Sequence, residues 1–172
     1  MPDKRNRELT VLILLATALG VVDSLIPRPV PFMKLGLANV TAVIAVVRFG
    51  FVKTLELNLL RALAVALITG LLATPAFLLS VSGAFASAVT MGLLRRLLQD
   101  KLSMAGLSMA GAVVSLWGQL FVASLILTGL PLQNIVLLLT AWGIVSGGAV
   151  GLLAQKAMST MGKTEALRKL EG

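Results

Sequence analysis

KLGLANVTAVIAVVRFGF, residues 34–51, contains an apolar run that is too short for the role its composition suggests. Positions 35–49 would reach only ~22 Å as a helix, at ~1.5 Å per residue. The hydrocarbon core of a bilayer is ~30 Å thick and takes about 20 helical residues to cross. Either the preceding segment, IPRPVPFM (26–33), extends this helix at its N-terminal end, or surrounding protein shields it. Asn39 adds a second constraint, because an amide inside an apolar run needs a hydrogen-bonding partner.

Five other apolar runs surround this one, at about 9–26, 52–72, 76–98, 104–129 and 131–154. Most are long enough to cross. Together they predict an all-α integral membrane bundle of six transmembrane helices in a single domain, 1–172. Composition agrees. Of 172 residues, 58% are hydrophobic and 13% charged, with mean hydropathy +0.98, which leaves too few polar groups to cover a soluble domain. The start, MPDKRNRELTVLILLATALG, resembles a secretory signal. Its apolar run continues to Ile26 without a polar tail, and it is read as a retained first helix.

The net charge of +8 does not point to nucleic acid. The cations sit at the ends of apolar runs, where they act as topology signals and phospholipid contacts. With the N-terminus inside, twelve of the fifteen Lys and Arg fall on the inner side, in clusters at 4–7, 48–53, 95–101 and 156–169. Only Arg28 and Lys34 fall outside, and Arg61 is embedded. The positive-inside rule therefore places both termini in the cytoplasm. The chain lacks Cys and His, so thiol chemistry, Cys/His metal sites and imidazole catalysis are excluded. Its seven acids are scattered, with no pair to hold magnesium against a diphosphate and no nucleophile beside a base. An enzyme acting alone is not expected, and no cofactor or metal is implied.

The candidate binding residues follow from cost. Arg28 and Lys34 lie in a turn stiffened by Pro27, Pro29 and Pro31. They form either an electropositive rim for an anionic solute or lipid anchors. A cation near mid-bilayer costs ~2.5–3.5 kcal/mol on insertion scales, so Arg61 should face the bundle interior. Glu56 is five residues away and points about 140° from it. Arg61 thus needs another partner, either Asp23 in the first helix or a substrate. Gln119 is a mid-span amide, and Trp117 beside it offers an aromatic wall for a flat, vitamin-like ligand. Small residues recur at Gly143, Gly147 and Gly151 and at Ala16 and Gly20. Such faces allow close helix packing within the monomer. For the first helix they also offer a docking face for a partner membrane protein.

KLGLANVTAVIAVVRFGF, ELNLLRALAVALITG, FLLSVSGAFASAVTMGLL and the GQL at 118–120 resemble the family labelled Gx transporter or heptaprenyl diphosphate synthase component I. The family is similar to the substrate-capture (S) components of energy-coupling factor vitamin importers. The resemblance implies a six-helix protein of a prokaryotic plasma membrane. It would bind a small, anionic or vitamin-like micronutrient in the outer half under the loop after the first helix, then dock on a coupling subunit driven by two ATPases. Arg28, Lys34, Asn39, Arg61, Trp117 and Gln119 would form the substrate site. Many S components carry Ala-x-x-x-Ala in the first helix as the docking face, and the nearest match here is Ala16 to Gly20. The second family label implies a different role, a non-catalytic membrane accessory subunit of polyprenyl diphosphate or quinone synthesis.

Overall fold

The computed structural model describes residues 4–26, 35–98, 101–126 and 133–170. Six helices make up the fold: α1 (Lys4–Leu25), α2 (Asn39–Phe49), α3 (Phe51–Ile68), α4 (Pro75–Leu98), α5 (Met104–Ile126) and α6 (Gln133–Leu170). No strand occurs among the described residues. Four helices, α1, α4, α5 and most of α6, are long and apolar enough to cross a membrane. The hairpin with Arg28 and Lys34 lies outside the described residues.

The short run at 35–49 forms an even shorter helix. Gly36, at φ +72, makes a turn in which its carbonyl accepts the Asn39 amide at 2.8 Å, so α2 begins only at Asn39. At 11 residues it is ~16 Å long, about half a hydrocarbon core. Of the two ways to accommodate it, shielding by protein is the one observed. Thr41 through Val46 are all buried, none more than 3% exposed. Helix α2 contacts every other helix, while α1, α3, α4, α5 and α6 follow one another around it.

Other boundaries differ from the apolar runs for local reasons. Helix α3 stops at Ile68 rather than 72. Gly70 takes the left-handed conformation (φ +70), its amide meets the Leu67 carbonyl and the Leu71 amide reaches back to Ala66 at 2.9 Å. This arrangement satisfies the last carbonyls of the helix. Helix α1 starts at Lys4, not 9, and α6 runs to Leu170 rather than 154. Beyond Ala154 the sequence QKAMSTMGKTEALRKL is polar but rich in good helix formers, and helix continues where hydrophobicity ends.

Packing accounts for the small residues. Gly143, Gly147 and Gly151 lie on the α5-facing side of α6. A Cβ on Gly147 would come within 2.8 Å of Met109 Cα and 3.0 Å of the Ser108 carbonyl, and one on Gly151 would meet Ala105 backbone. The repeat is therefore used inside the chain, as the sequence suggests. One end of the bundle is held by charge. Arg48, at the end of α2, pairs with Glu8 of α1 at 3.3 Å, and Arg5 lies over the Phe49 ring. Gly147→Val should lower stability by about 1–3 kcal/mol, the range for overpacking. Gly162→Ala, where nothing stands within 4 Å, should raise it by roughly 0.5–1 kcal/mol. Thermal unfolding in detergent checks both.

Candidate functional site

Because α2 is half-length, the bundle axis is filled at the Arg48–Glu8 end and left open beyond Asn39. A cavity of ≈ 150 Å³ occupies that space. Every helix contributes to it: Gly20, Asp23 and Ser24 from α1, Asn39 from α2, Arg61, Val65 and Ala66 from α3, Ser80 and Ala84 from α4, Ser115 and Gln119 from α5, and Ser146 and Val150 from α6. Small side chains dominate the wall, so the space between the helix backbones is left unfilled.

The polar groups form two clusters. Arg61 Nη1 donates to Asn39 Oδ1 at 3.4 Å, a long contact, while its stem lies beside Gly20. Asp23, 8% exposed, accepts the Leu35 amide at 3.1 Å through Oδ1 and acts electrostatically on Arg61. The carboxylate thus serves two purposes. It ties the chain entering α2 to the end of α1, and it offsets the embedded guanidinium. Across the cavity, Gln119 Nε2 donates to the Ser115 carbonyl at 3.2 Å and to Ser115 Oγ at 3.4 Å. Gly83 of α4 makes room for this pair, since a Cβ there would lie 2.7 Å from Gln119 Nε2.

Asn39, Arg61 and Gln119 are therefore brought to one cavity. Asp23 joins them, and so does Ser115, which sequence reading missed even though it lies one helical turn from Gln119. Three expected roles need correction or lie beyond view. Trp117 is not part of the cavity wall. It is 52% exposed on the outside of the α5–α6 pair, where its indole Nε1 donates to Thr140 Oγ1 at 3.0 Å. Trp117 and Gln119 are two residues apart, so they point about 200° from each other on a helix. Ala16 and Gly20 do not present a docking face. Ala16 is fully buried, and a Cβ on Gly20 would lie 2.8 Å from Val65 Cγ2, so this side of α1 packs on α3. Arg28 and Lys34 lie outside the described residues.

A second buried polar set lies beneath the cavity. Asn58 Nδ2 donates to the carbonyl of Ala84, a cavity-lining residue, at 3.1 Å. Asn58 is wholly buried and links α3 to α4.

A family model described as heptaprenyl diphosphate synthase component I matches residues 12–157. No curated protein and no solved structure matches the chain. The matched segment includes α2 to α5, most of α1 and α6, and every cavity residue named above. The chain belongs to this family, and with four membrane-length apolar helices it is a multi-pass membrane protein.

Asp23 acts electrostatically on Arg61, so removing either one leaves the other charge uncompensated. Asp23→Ala and Arg61→Ala should each destabilise the protein, and the double variant by clearly less than the two added together. Unfolding of the four proteins in the same detergent measures the coupling.

Proposed function

We propose that this member of the heptaprenyl diphosphate synthase component I family is a non-catalytic, substrate-binding membrane component. It captures a small solute in the cavity beyond the end of α2. The observation carrying this reading is the convergence of Asp23, Asn39, Arg61, Ser115 and Gln119 on one space at the bundle axis. Ionisable and amide groups inside a membrane bundle are costly and mark binding or transport sites. Small-molecule sites typically combine a mostly apolar wall with a few convergent polar groups.

In this reading all six helices lie within the membrane, with α2 as a protein-shielded half-span. The end bearing Arg48, Arg95, Arg96 and Lys156 faces the cytoplasm, as the positive-inside rule requires. Both termini are then cytoplasmic and the cavity opens toward the outer side. That arrangement matches capture by an S component of an energy-coupling factor importer, with release after docking on a coupling subunit driven by two ATPases. Docking would use a surface other than the Ala16–Gly20 side of α1. Arg28 and Lys34, on the outer turn, would attract an anionic or carboxylate-bearing solute.

The family description supports a second reading, an accessory membrane subunit of polyprenyl diphosphate or quinone synthesis. Copurification with a soluble prenyl synthase would favour it, and copurification with ABC-type ATPases would favour capture.

Two measurements test the capture reading. The chain has no cysteine of its own, so single cysteines report cleanly. A membrane-impermeant maleimide applied to intact cells should label Leu71→Cys and not Gly162→Cys. In addition, mass spectrometry should identify a small molecule that copurifies with the detergent-solubilised protein. Its affinity should fall at least tenfold, about 1.4 kcal/mol, in Asn39→Ala, while the variant stays folded.

A further inference from the structure

The amide of Gln119 is held in one orientation. Its Nε2 donates twice to Ser115, to the carbonyl at 3.2 Å and to Oγ at 3.4 Å. Turning the amide over would set Oε1 against that carbonyl, and a carbonyl oxygen can only accept. Helix α4 is fitted to this arrangement, since a Cβ on Gly83 would lie 2.7 Å from Nε2, 2.8 Å from Ser115 Oγ and 2.9 Å from Gln119 Cγ. Oε1 is therefore the end of the amide left for another partner. No described residue donates to it, although Gln119 is only 6% exposed and lines the cavity. An amide oxygen so placed calls for a donor.

The other side of the cavity has the reverse polarity. Among the described residues Arg61 makes one hydrogen bond, from Nη1 to Asn39 Oδ1 at 3.4 Å, and a guanidinium carries five N–H donors. Asn39 adds a further donor there, because its oxygen is the atom that Arg61 occupies and its Nδ2 remains. Asp23 already offsets one positive charge. A single carboxylate therefore suits this side better than a phosphate bearing several negative charges, which Asp23 would repel. Between the two polar ends the wall is apolar, with Val65, Ala66, Leu116 and Val150. The volume, ≈ 150 Å³, is that of a cavity that encloses benzene.

We infer that the ligand is a ring-sized monocarboxylate with a hydroxyl or N–H at the end away from its carboxylate, and that Gln119 selects it by accepting from that donor. The inference rests on the cavity being a solute site, and it adds the chemical class of the solute and the residue that discriminates. Arg61 and Asn39 take the carboxylate, the apolar wall takes the ring, and Ser115 is the positioning residue that keeps Gln119 Oε1 available.

The test is calorimetric titration of the detergent-solubilised full chain at neutral pH with matched probes: 3- and 4-hydroxybenzoate, benzoate, and the methyl ether and the carboxamide of each hydroxy acid. The tighter of the two hydroxybenzoates should bind at least about fivefold better than benzoate or its own methyl ether, a difference on the scale of one hydrogen bond. It should also bind better than its carboxamide, which brings no charge to Arg61. In Gln119→Met, a change that largely conserves volume, its affinity should fall to that of benzoate, while benzoate binds as before. If that variant misfolds, Gly83→Ala makes the same test, because its Cβ displaces the Gln119 amide. Equal binding of the hydroxybenzoates and benzoate to the unmodified protein, or an equal loss of both in the variant, would overturn the role of Gln119. A carboxamide that binds as tightly as the acid would overturn the carboxylate. If no probe binds, the inference fails. Solute capture then stands if the copurifying molecule binds in an Asn39-dependent manner, and both readings fail if it does not.

Discussion

A backbone that cannot reach across the bilayer must have its ends covered by something other than lipid, and this requirement organises the whole bundle. Unpaired amides and carbonyls are tolerated at membrane depth only inside protein or beside a wet cavity. Helix α2 begins in the middle of the structure, at the Gly36 turn, so five other helices must enclose it. That enclosure accounts for the run of fully buried residues from Thr41 to Val46. It also accounts for the unfilled space beyond Asn39. The cavity is the geometric remainder of a short helix at the centre of longer ones.

The polar groups in that space have both structural and chemical consequences. Asp23 secures the chain entering α2 through the Leu35 amide, and it also balances Arg61, which in turn reaches Asn39 at the first position of α2. The residues that define where α2 starts are therefore the same residues that give the cavity its polarity. A ligand competing for Arg61 or Asn39 would therefore act on a contact that holds the start of α2.

Much of this was legible in the sequence. The deficit of the run at 35–49 is a length argument, and length is read reliably from hydrophobicity. Arg61 was assigned to the interior by its insertion cost, and Gln119 by its depth. The glycine repeat of α6 was read as internal packing, and its contacts with α5 agree. The differences have separate physical causes. Trp117 was grouped with Gln119 by proximity along the chain, although two residues of helix turn them to opposite sides. Ala16 and Gly20 have the spacing of a packing face, but spacing does not say whether the neighbour is another helix of the same chain or a partner. Periodicity also could not locate the end of α6, because amphipathic and polar residues with high helix propensity continue a helix as readily as apolar ones.

That continuation has a mechanical side. Helix α6 supplies Ser146, Gly147 and Val150 to the cavity wall and then runs without a break to Leu170. The stretch from Gly147 to Leu170 spans ~34 Å of rigid rod at the usual rise, so a tilt of about 5° about Gly147 carries its far tip through roughly 3 Å. One continuous helix thus borders the cavity along part of its length and carries its polar C-terminal half well beyond it, so any tilt at the cavity would be magnified at the far end.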